Sequence, residues 1–494
     1  MKDLKEKAIR GGVARVGAQT VFFAVRIGAL MILARLLDPK DFGLVGMVTA
    51  FTSVFFLFRD FGLSTATIQR VDITDEQIST LFWINLLVGA ILTVLLSAVA
   101  PMVVRFYHEP RLFWVTIALA TGFVINAAGV QHSAILQREM RFTALAIIQI
   151  VAQVASTVVG VGMALLGYGY WSLVGLSVTL PLVSTIAFWM ATSWLPGKPR
   201  KRVGIRPMIS FGGSVTLISL IVYVAYNLDK VLLGRFWGAG ALGIYGRSFQ
   251  IISIPTDNLN SAVGEVAFAA LSRLQGDPTR LRSYFLKGYS LVLALTVPMT
   301  CIIGIFPHDL VILILGSKWG AAARILQLLA PTILIFAIIN PLGWLLFAMG
   351  MVKRSLKVAL VLAPVVIVGY SLGLHYGSNG VALGFSVAMT LWALPHIAWG
   401  VHGTPISFGD VMKVMIDPLL SGAVAVALAL GVQLLCSQWL PFFRLFLGVT
   451  ILLGTYMSML LFGMGQKTFY MDLLRGLLKR PSVESEQPVL TQEA

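Results

Sequence analysis

Apolar runs of about 20 residues, each able to cross a hydrocarbon layer as a helix, recur along this whole chain. About fourteen can be read, at 13–36, 43–62, 80–104, 112–134, 143–166, 169–192, 209–233, 242–266, 285–307, 325–349, 355–375, 380–400, 414–436 and 442–463. Lipid offers backbone groups no hydrogen bonds, so such continuous runs are confined to helices. The runs at 242–266 and 325–349 are the most interrupted by polar residues and Pro. Charged residues make up 12% of the chain, about half the share of a soluble domain. The expected fold class is therefore all-α and integral to a membrane. Connectors between runs stay under about 20 residues, too short for a folded extramembrane domain.

An internal repeat narrows the architecture. Leu33-Ala34-Arg35-Leu36-Leu37 leads to Gly43-Leu44-Val45-Gly46, and the same shape returns as Leu233-Gly234-Arg235-Phe236-Trp237 leading to Gly243-Ile244-Tyr245-Gly246. Duplicated bundles usually work through the crevice between their halves. The expectation is two pseudo-symmetric six-helix lobes plus two extra C-terminal helices. The N-terminal lobe takes residues 1–193 and the basic linker 194–208. The C-terminal lobe takes 209–402, two further spans 403–463, and a tail 464–494. In that tail Phe469, Leu473, Leu474, Leu477 and Leu478 share a helical face beside Lys467, Arg475 and Lys479, which suggests an interfacial helix before a disordered end.

Net charge is +16, but its distribution speaks for topology. An even number of spans puts both termini on one side, which then carries about 24 Lys/Arg against about 8 on the other, so the positive-inside rule makes the termini cytoplasmic. The cluster Lys198, Arg200, Lys201, Arg202 and Arg206 reads as topology signal and headgroup contact, not as a nucleic-acid site. Cys301 and Cys436 both fall in spans and offer no disulfide framework or metal spacing. The first run carries Arg15 and Arg26 and lacks a cleavage site, so it is expected to be an anchor. The six histidines have no ligand spacing, and His132 is at most a polar residue of a cavity. P-loop, nucleophile-elbow and zincin motifs are missing from the sequence, and neither cofactor nor metal is expected. In Asp38-Pro39-Lys40-Asp41, Pro39 ends one helix and Asp41 caps the next.

Ionisable residues inside spans are costly, so they usually face protein or water. Arg15, Gln19, Phe23 and Arg26 lie on one face of the first span. Thr216, Ser219, Tyr223, Tyr226 and Lys230 do so in the seventh. Shifting by the repeat superimposes Gln19 on Ser219, Phe23 on Tyr223 and Arg26 on Tyr226. The second span holds Arg59 and Asp60; the eighth holds Arg247, Gln250, Asp257 and Glu265, with Pro255 between as a kink. Arg26, Arg59, Lys230 and Arg247 are thus candidate ligands for a phosphate group, whose oxygens guanidinium forks suit. Gln19, Phe23, Ser219, Tyr223, Tyr226 and Gln250 are candidate cavity-lining residues. Asp60, Asp229, Asp257 and Glu265 are candidate coupling-ion residues. Against this stand local pairing of Arg59 with Asp60 and snorkelling of Lys230.

Leu37-Asp38-Pro39-Lys40-Asp41-Phe42-Gly43 and Phe61-Gly62-Leu63-Ser64-Thr65-Ala66-Thr67-Ile68-Gln69-Arg70 resemble Wzx-type polysaccharide exporters, particularly the colanic-acid-exporter branch. So do Asp75-Glu76-Gln77-Ile78-Ser79-Thr80-Leu81-Phe82-Trp83, Leu136-Gln137-Arg138-Glu139-Met140-Arg141-Phe142, Leu271-Ser272-Arg273-Leu274-Gln275 and Gly316-Ser317-Lys318-Trp319. The resemblance implies membership of the multidrug/oligosaccharidyl-lipid/polysaccharide exporter superfamily, with twelve to fourteen helices rocking between two access states. It implies a bacterial inner-membrane flippase that moves undecaprenyl-pyrophosphate-linked oligosaccharide to the periplasmic leaflet, working beside a polymerase and export machinery. Related lipid II flippases use cavity arginines on the first, second and eighth helices, comparable to Arg26, Arg59 and Arg247. The same residues leave two rivals: a cation-coupled multidrug exporter, which would want an acid-dominated cavity, and a membrane-embedded polysaccharide polymerase or ligase, which would want a larger loop outside the membrane.

Overall fold

The computed structural model describes residues 20–56, 64, 67, 68, 73–199 and 206–471, with the backbone alone at 56, 206–222, 225, 258, 259, 261, 262 and 265. These residues form helices and short turns, without a strand among them. In chain order the helices are α1 (20–36), α2 (Pro39–Phe56), α3 (Asp75–Tyr107), α4 (Leu112–Arg138), α5 (Phe142–Leu165), α6 (Trp171–Ala191) and α7 (Arg206–Arg273). Then follow α8 (Pro278–Ile305), the short α9 (Pro307–Ile314), α10 (Ala322–Ala348), α11 (Val352–Gly373), α12 (Gly377–Val401), α13 (Phe408–Leu435) and α14 (Pro441–Ser458).

Among the described residues, 9 helical stretches are long and apolar enough to cross a membrane, one of them being α11 and α12 joined end to end by a turn. With α1, α2 and the two arms of α7 the total is about fourteen spans. The multi-pass, all-α membrane architecture is as the hydropathy implied. The interrupted runs at 242–266 and 325–349 are both helical. Pro331 and Pro341 sit inside α10, and more of that helix is buried than of the other candidate spans, because it packs on α7, α8 and α12 at once.

Local chemistry explains the element boundaries. Thr74 caps α3 reciprocally with Gln77, and Ser407 caps α13 with Asp410, each satisfying orphan N–H groups. The two spans in α7 are divided at Gly238, whose φ of 77° suits only a residue without a Cβ. In the Asp38–Asp41 turn Asp41 caps α2 as expected, and only the role of Pro39 differs. Pro39 opens α2 instead of only closing α1, and Asp41 sits in the first turn, where its carboxylate accepts the Asp38 N–H at 3.1 Å. Glycines serve close helix approach, as small residues do in lipid: Gly369 meets Gly384, and Gly373 meets Gly380, backbone against backbone between α11 and α12.

Helices α3 to α6 pack on one another; α7, α8, α10, α11 and α12 form a second group around Tyr245, Tyr289, Tyr370 and Phe385. The joint between the groups is α2 against α7. A Cβ on Gly43 would overlap the Ala239 carbonyl, and one on Gly243 would overlap that of Pro39. Pro39 and Ala239, like Gly43 and Gly243, are repeat-related positions, so each half offers the same backbone surface to the other. Helices α13 and α14 pack on α8 and α9 at the flank, where Arg444 grips the buried Asp309 with Nε 2.8 Å from Oδ2. Residues at the start of the tail are tied down: Gln466 donates to Asp417 at 2.7 Å, and the Tyr470 and Ser290 hydroxyls lie 3.0 Å apart. Most of the expected tail helix and the end after Ser482 lie outside the described residues.

Candidate functional site

Beside the α2–α7 joint, side chains from both groups come together. Arg26 on α1 is exposed, and its charge acts on both Arg247 and Asp257 of the second arm of α7. The Arg247 guanidinium lies 4.2 Å over the ring of Phe42 on α2, and its Nη1 donates to Gln250 Oε1. Tyr223, on the first arm of α7, lies near Ser53 of α2. The Arg247–Phe42 stack therefore joins the two repeat halves at this point. Neither Arg26 nor Arg247 forms an ion pair with a carboxylate among the described residues. Like charges held within electrostatic reach destabilise each other unless an anion lies between them.

Lys230 and Asp229 occupy a different setting. Asp229 is fully buried, accepting from the Tyr245 hydroxyl at 2.7 Å and from the Lys230 backbone N–H at 2.7 Å. The Lys230 ammonium donates to Asn227 Oδ1 at 2.9 Å, lies 3.6 Å from Asp229 Oδ1, and stands 4.5 Å over the Phe249 ring. Tyr226 packs on Phe336 of α10, on the core side of the second group. Phe23 is half-buried on α1, and Asp257 is exposed. Gln19, Arg59 and Asp60 lie outside the described residues. Ser219 and Glu265 fall on α7 where side chains are not described.

His132 departs from expectation. It is fully buried, stacked on Trp189 at 4.4 Å and edge-on to Phe82 and Trp194, so it belongs to an aromatic core cluster and not to a cavity wall. Charge-led reading also overlooked a cavity of about 500 Å³ lined by α1, α4, α5 and α6. Its walls carry Asn126, Ser133, Gln137, Gln149 and Ser184, with Phe22 and Phe188. Amides buried in apolar spans were the available signal.

Two sequence motifs meet outside the site. Trp319 is fully buried, donates its indole N–H to the Ala34 carbonyl at 2.7 Å, and lies edge-on to Phe42. Lys318 pairs with Asp38 at 2.9 Å. Arg35 donates to the Leu313 carbonyl at 2.9 Å, while its repeat counterpart Arg235 reaches back to His108 Nδ1 at 3.1 Å. Each half thus extends an arginine onto the other.

The comparisons agree with this architecture. The lipid II flippase MurJ, in an inward closed conformation, superposes with a TM-score of 0.70 at 14% identity, over 94% of this chain and 100% of MurJ, which shows a shared fold. The lipopolysaccharide biosynthesis protein WzxC of Escherichia coli K12 is 26% identical over 451 residues, 89% of this chain and 86% of WzxC. The teichuronic acid biosynthesis protein TuaB of Bacillus subtilis 168 is 32% identical over 298 residues, 59% of this chain and 61% of TuaB. The family resemblance carried by the motifs is borne out. Because the model of the polysaccharide biosynthesis protein family matches residues 32–324, well over half of the sequence, this chain belongs to that family.

Proposed function

We propose that this protein is a flippase for undecaprenyl-pyrophosphate-linked oligosaccharides, carrying them from the cytoplasmic to the periplasmic leaflet by alternating access. One arrangement carries the reading: Arg26 and Arg247, from opposite repeat halves, stand within electrostatic reach of each other beside the Arg247–Phe42 stack, and among the described residues neither forms an ion pair with a carboxylate. A pyrophosphate would bridge two guanidiniums with charge-assisted hydrogen bonds, and Arg59 would join them from the second span. Relatives named for lipopolysaccharide and teichuronic acid biosynthesis fit a polysaccharide substrate. A drug exporter for cations would suffer repulsion from the same pair.

Rocking of two lobes, 1–193 and 209–402, about the Gly43–Gly243 joint would expose the site to either side. Spans 403–463 would ride on the second lobe. The membrane would be the bacterial inner membrane, and the basic bias supports termini on its cytoplasmic side. Export of an anion from a negative-inside cell is favoured by about 2.3 kcal/mol per charge per 100 mV. Asp229, Asp257, Asp60 and Glu265 are where H+ or Na+ would couple. Of these, Asp229 has the most developed surroundings: it is buried, bonded to Tyr245 and beside Lys230. Lys230, enclosed with them, would then serve the coupling network more than the pyrophosphate.

The test is reconstitution in proteoliposomes with an undecaprenyl-pyrophosphate-linked oligosaccharide, reading its leaflet with and without a membrane potential. Wild-type protein moves the lipid, and Arg26→Ala and Arg247→Ala each slow it at least tenfold. Full activity in both variants would remove the phosphate assignment.

A further inference from the structure

We infer that the cavity lined by α4, α5 and α6 is a binding site for the uncharged sugar residues of the transported lipid, and that it sets a preference for longer glycans. This inference rests on the flippase reading and extends it to the part of the substrate beyond the pyrophosphate.

The chemistry of the walls points to carbohydrate. Asn126, Ser133, Gln137, Gln149 and Ser184 present amides and hydroxyls, which both donate and accept hydrogen bonds, and among the described residues the lining contains no acid or base. Phe22 adds an aromatic face. A pyranose presents the matching surface: a ring of hydroxyls around an apolar C–H face that covers an aromatic ring. The volume of about 500 Å³ falls within the usual range for small-molecule sites. Two of the amides have spare capacity. Gln149 is exposed and makes no hydrogen bond among the described residues, and Asn126 Oδ1 is buried without a donor among them. A purely structural role would leave the buried Asn126 Oδ1 with a donor.

The position also fits. Phe22 and Arg26 are four residues apart on α1, so they share a face with a rise of about 6 Å between them. A pyrophosphate at Arg26 would leave its first sugars beside Phe22. On the topology with cytoplasmic termini, the cavity lies on the cytoplasmic side of Arg26, because Gln137 ends α4 there and Asn126 stands about 16 Å deeper. A glycan entering from that side would occupy the cavity while its lipid remained in the bilayer. An uncharged wall offers no counter-ion for a uronic acid, so neutral hexoses are the class it would take.

The experiment compares two probes in proteoliposomes containing the full chain: undecaprenyl pyrophosphate carrying three neutral hexoses, and the same lipid carrying one. Gln149→Leu and Asn126→Leu are each expected to lower the ratio of three-sugar to one-sugar transport rates at least fivefold. Arg26→Ala lowers both rates together and keeps their ratio within twofold. An unchanged ratio in Gln149→Leu overturns the inference, and Gln149, exposed on α5, carries the test even where Asn126→Leu fails to accumulate. Wild-type protein that moves neither probe overturns the flippase reading and this inference with it.

Discussion

Gly43 and Gly243 meet across the molecule at repeat-related positions, each so close to the other half that a side chain on either would strike backbone. Gly43 faces Ala239 and Gly243 faces Pro39, so the joint is self-complementary, in the manner of a two-fold interface. Gly46, one turn along α2, is only in ordinary van der Waals range of Leu242. Overpacking costs about 1–3 kcal/mol, and more where backbone must move. Gly43→Val and Gly243→Val should therefore sharply lower the yield and melting temperature of the purified protein, while Gly46→Ala leaves both near wild type. Equal tolerance at all three positions would show that the halves do not need this approach.

The repeat was legible in sequence because the joint depends on backbone proximity, which only small residues permit, and Gly43 and Gly243 stand at matching places. Hydropathy was legible for the same kind of reason: each span must satisfy its own backbone. The site was read less fully. Arg26 and Arg247 stood out as candidates because charges in spans are rare. Lys230 was a candidate on the same ground, and helical spacing alone does not reveal that Asn227, Asp229 and Phe249 surround it. His132 looked like a cavity residue because its aromatic neighbours come from α3, α6 and the segment after it, distant in sequence. The amide-lined cavity was invisible to a search guided by charge.

Asp309 is buried and held by Arg444, which also donates to the Ser437 carbonyl at 2.9 Å. Removing one partner of such a pair leaves an uncompensated charge and costs about 3–5 kcal/mol. Asp309→Ala should destabilise the packing of α14 on α9 by that order, seen as a lower melting temperature. The double variant Asp309→Ala/Arg444→Leu should recover part of the loss, because no orphan charge remains. Additive losses would mean that the two side chains act independently.

Asp410, at the start of α13, takes both the Arg282 guanidinium and the Ser407 backbone N–H. Arg282 foremost, then the Ser407 backbone, holds its carboxyl well below the usual carboxylate range. A depressed value in the folded protein means that the contribution is present above the unfolded value of about 3.9 and fades as pH falls below it. The pair is exposed, so its contribution is small. Asp410→Asn should lower the melting temperature slightly and by the same amount at pH 7 and pH 5, and the difference should shrink below about pH 4. A difference already gone at pH 5 would contradict the arrangement.

Trp319 is the keystone of the contact between the α1–α2 turn and the loop before α10, and its loss separates stability from access. Its indole N–H reaches the Ala34 carbonyl and its ring abuts Phe42, so the loop before α10 holds the turn between α1 and α2. Rocking the halves apart on this side must break that bond, the Lys318–Asp38 pair and the Arg35 contact together. Truncating a buried tryptophan costs about 3–5 kcal/mol, and here the cost falls only on the state in which this face is closed. Trp319→Ala should shift the population toward the state open on this face. A cysteine placed at Leu30, buried at 7% exposure on α1, should then react faster with a membrane-impermeant maleimide added from that side. Lys318→Ala, which removes only an exposed ion pair, should have a much smaller effect. Labelling in Trp319→Ala no faster than in wild type would mean that the contact holds the loop alone and leaves access unchanged.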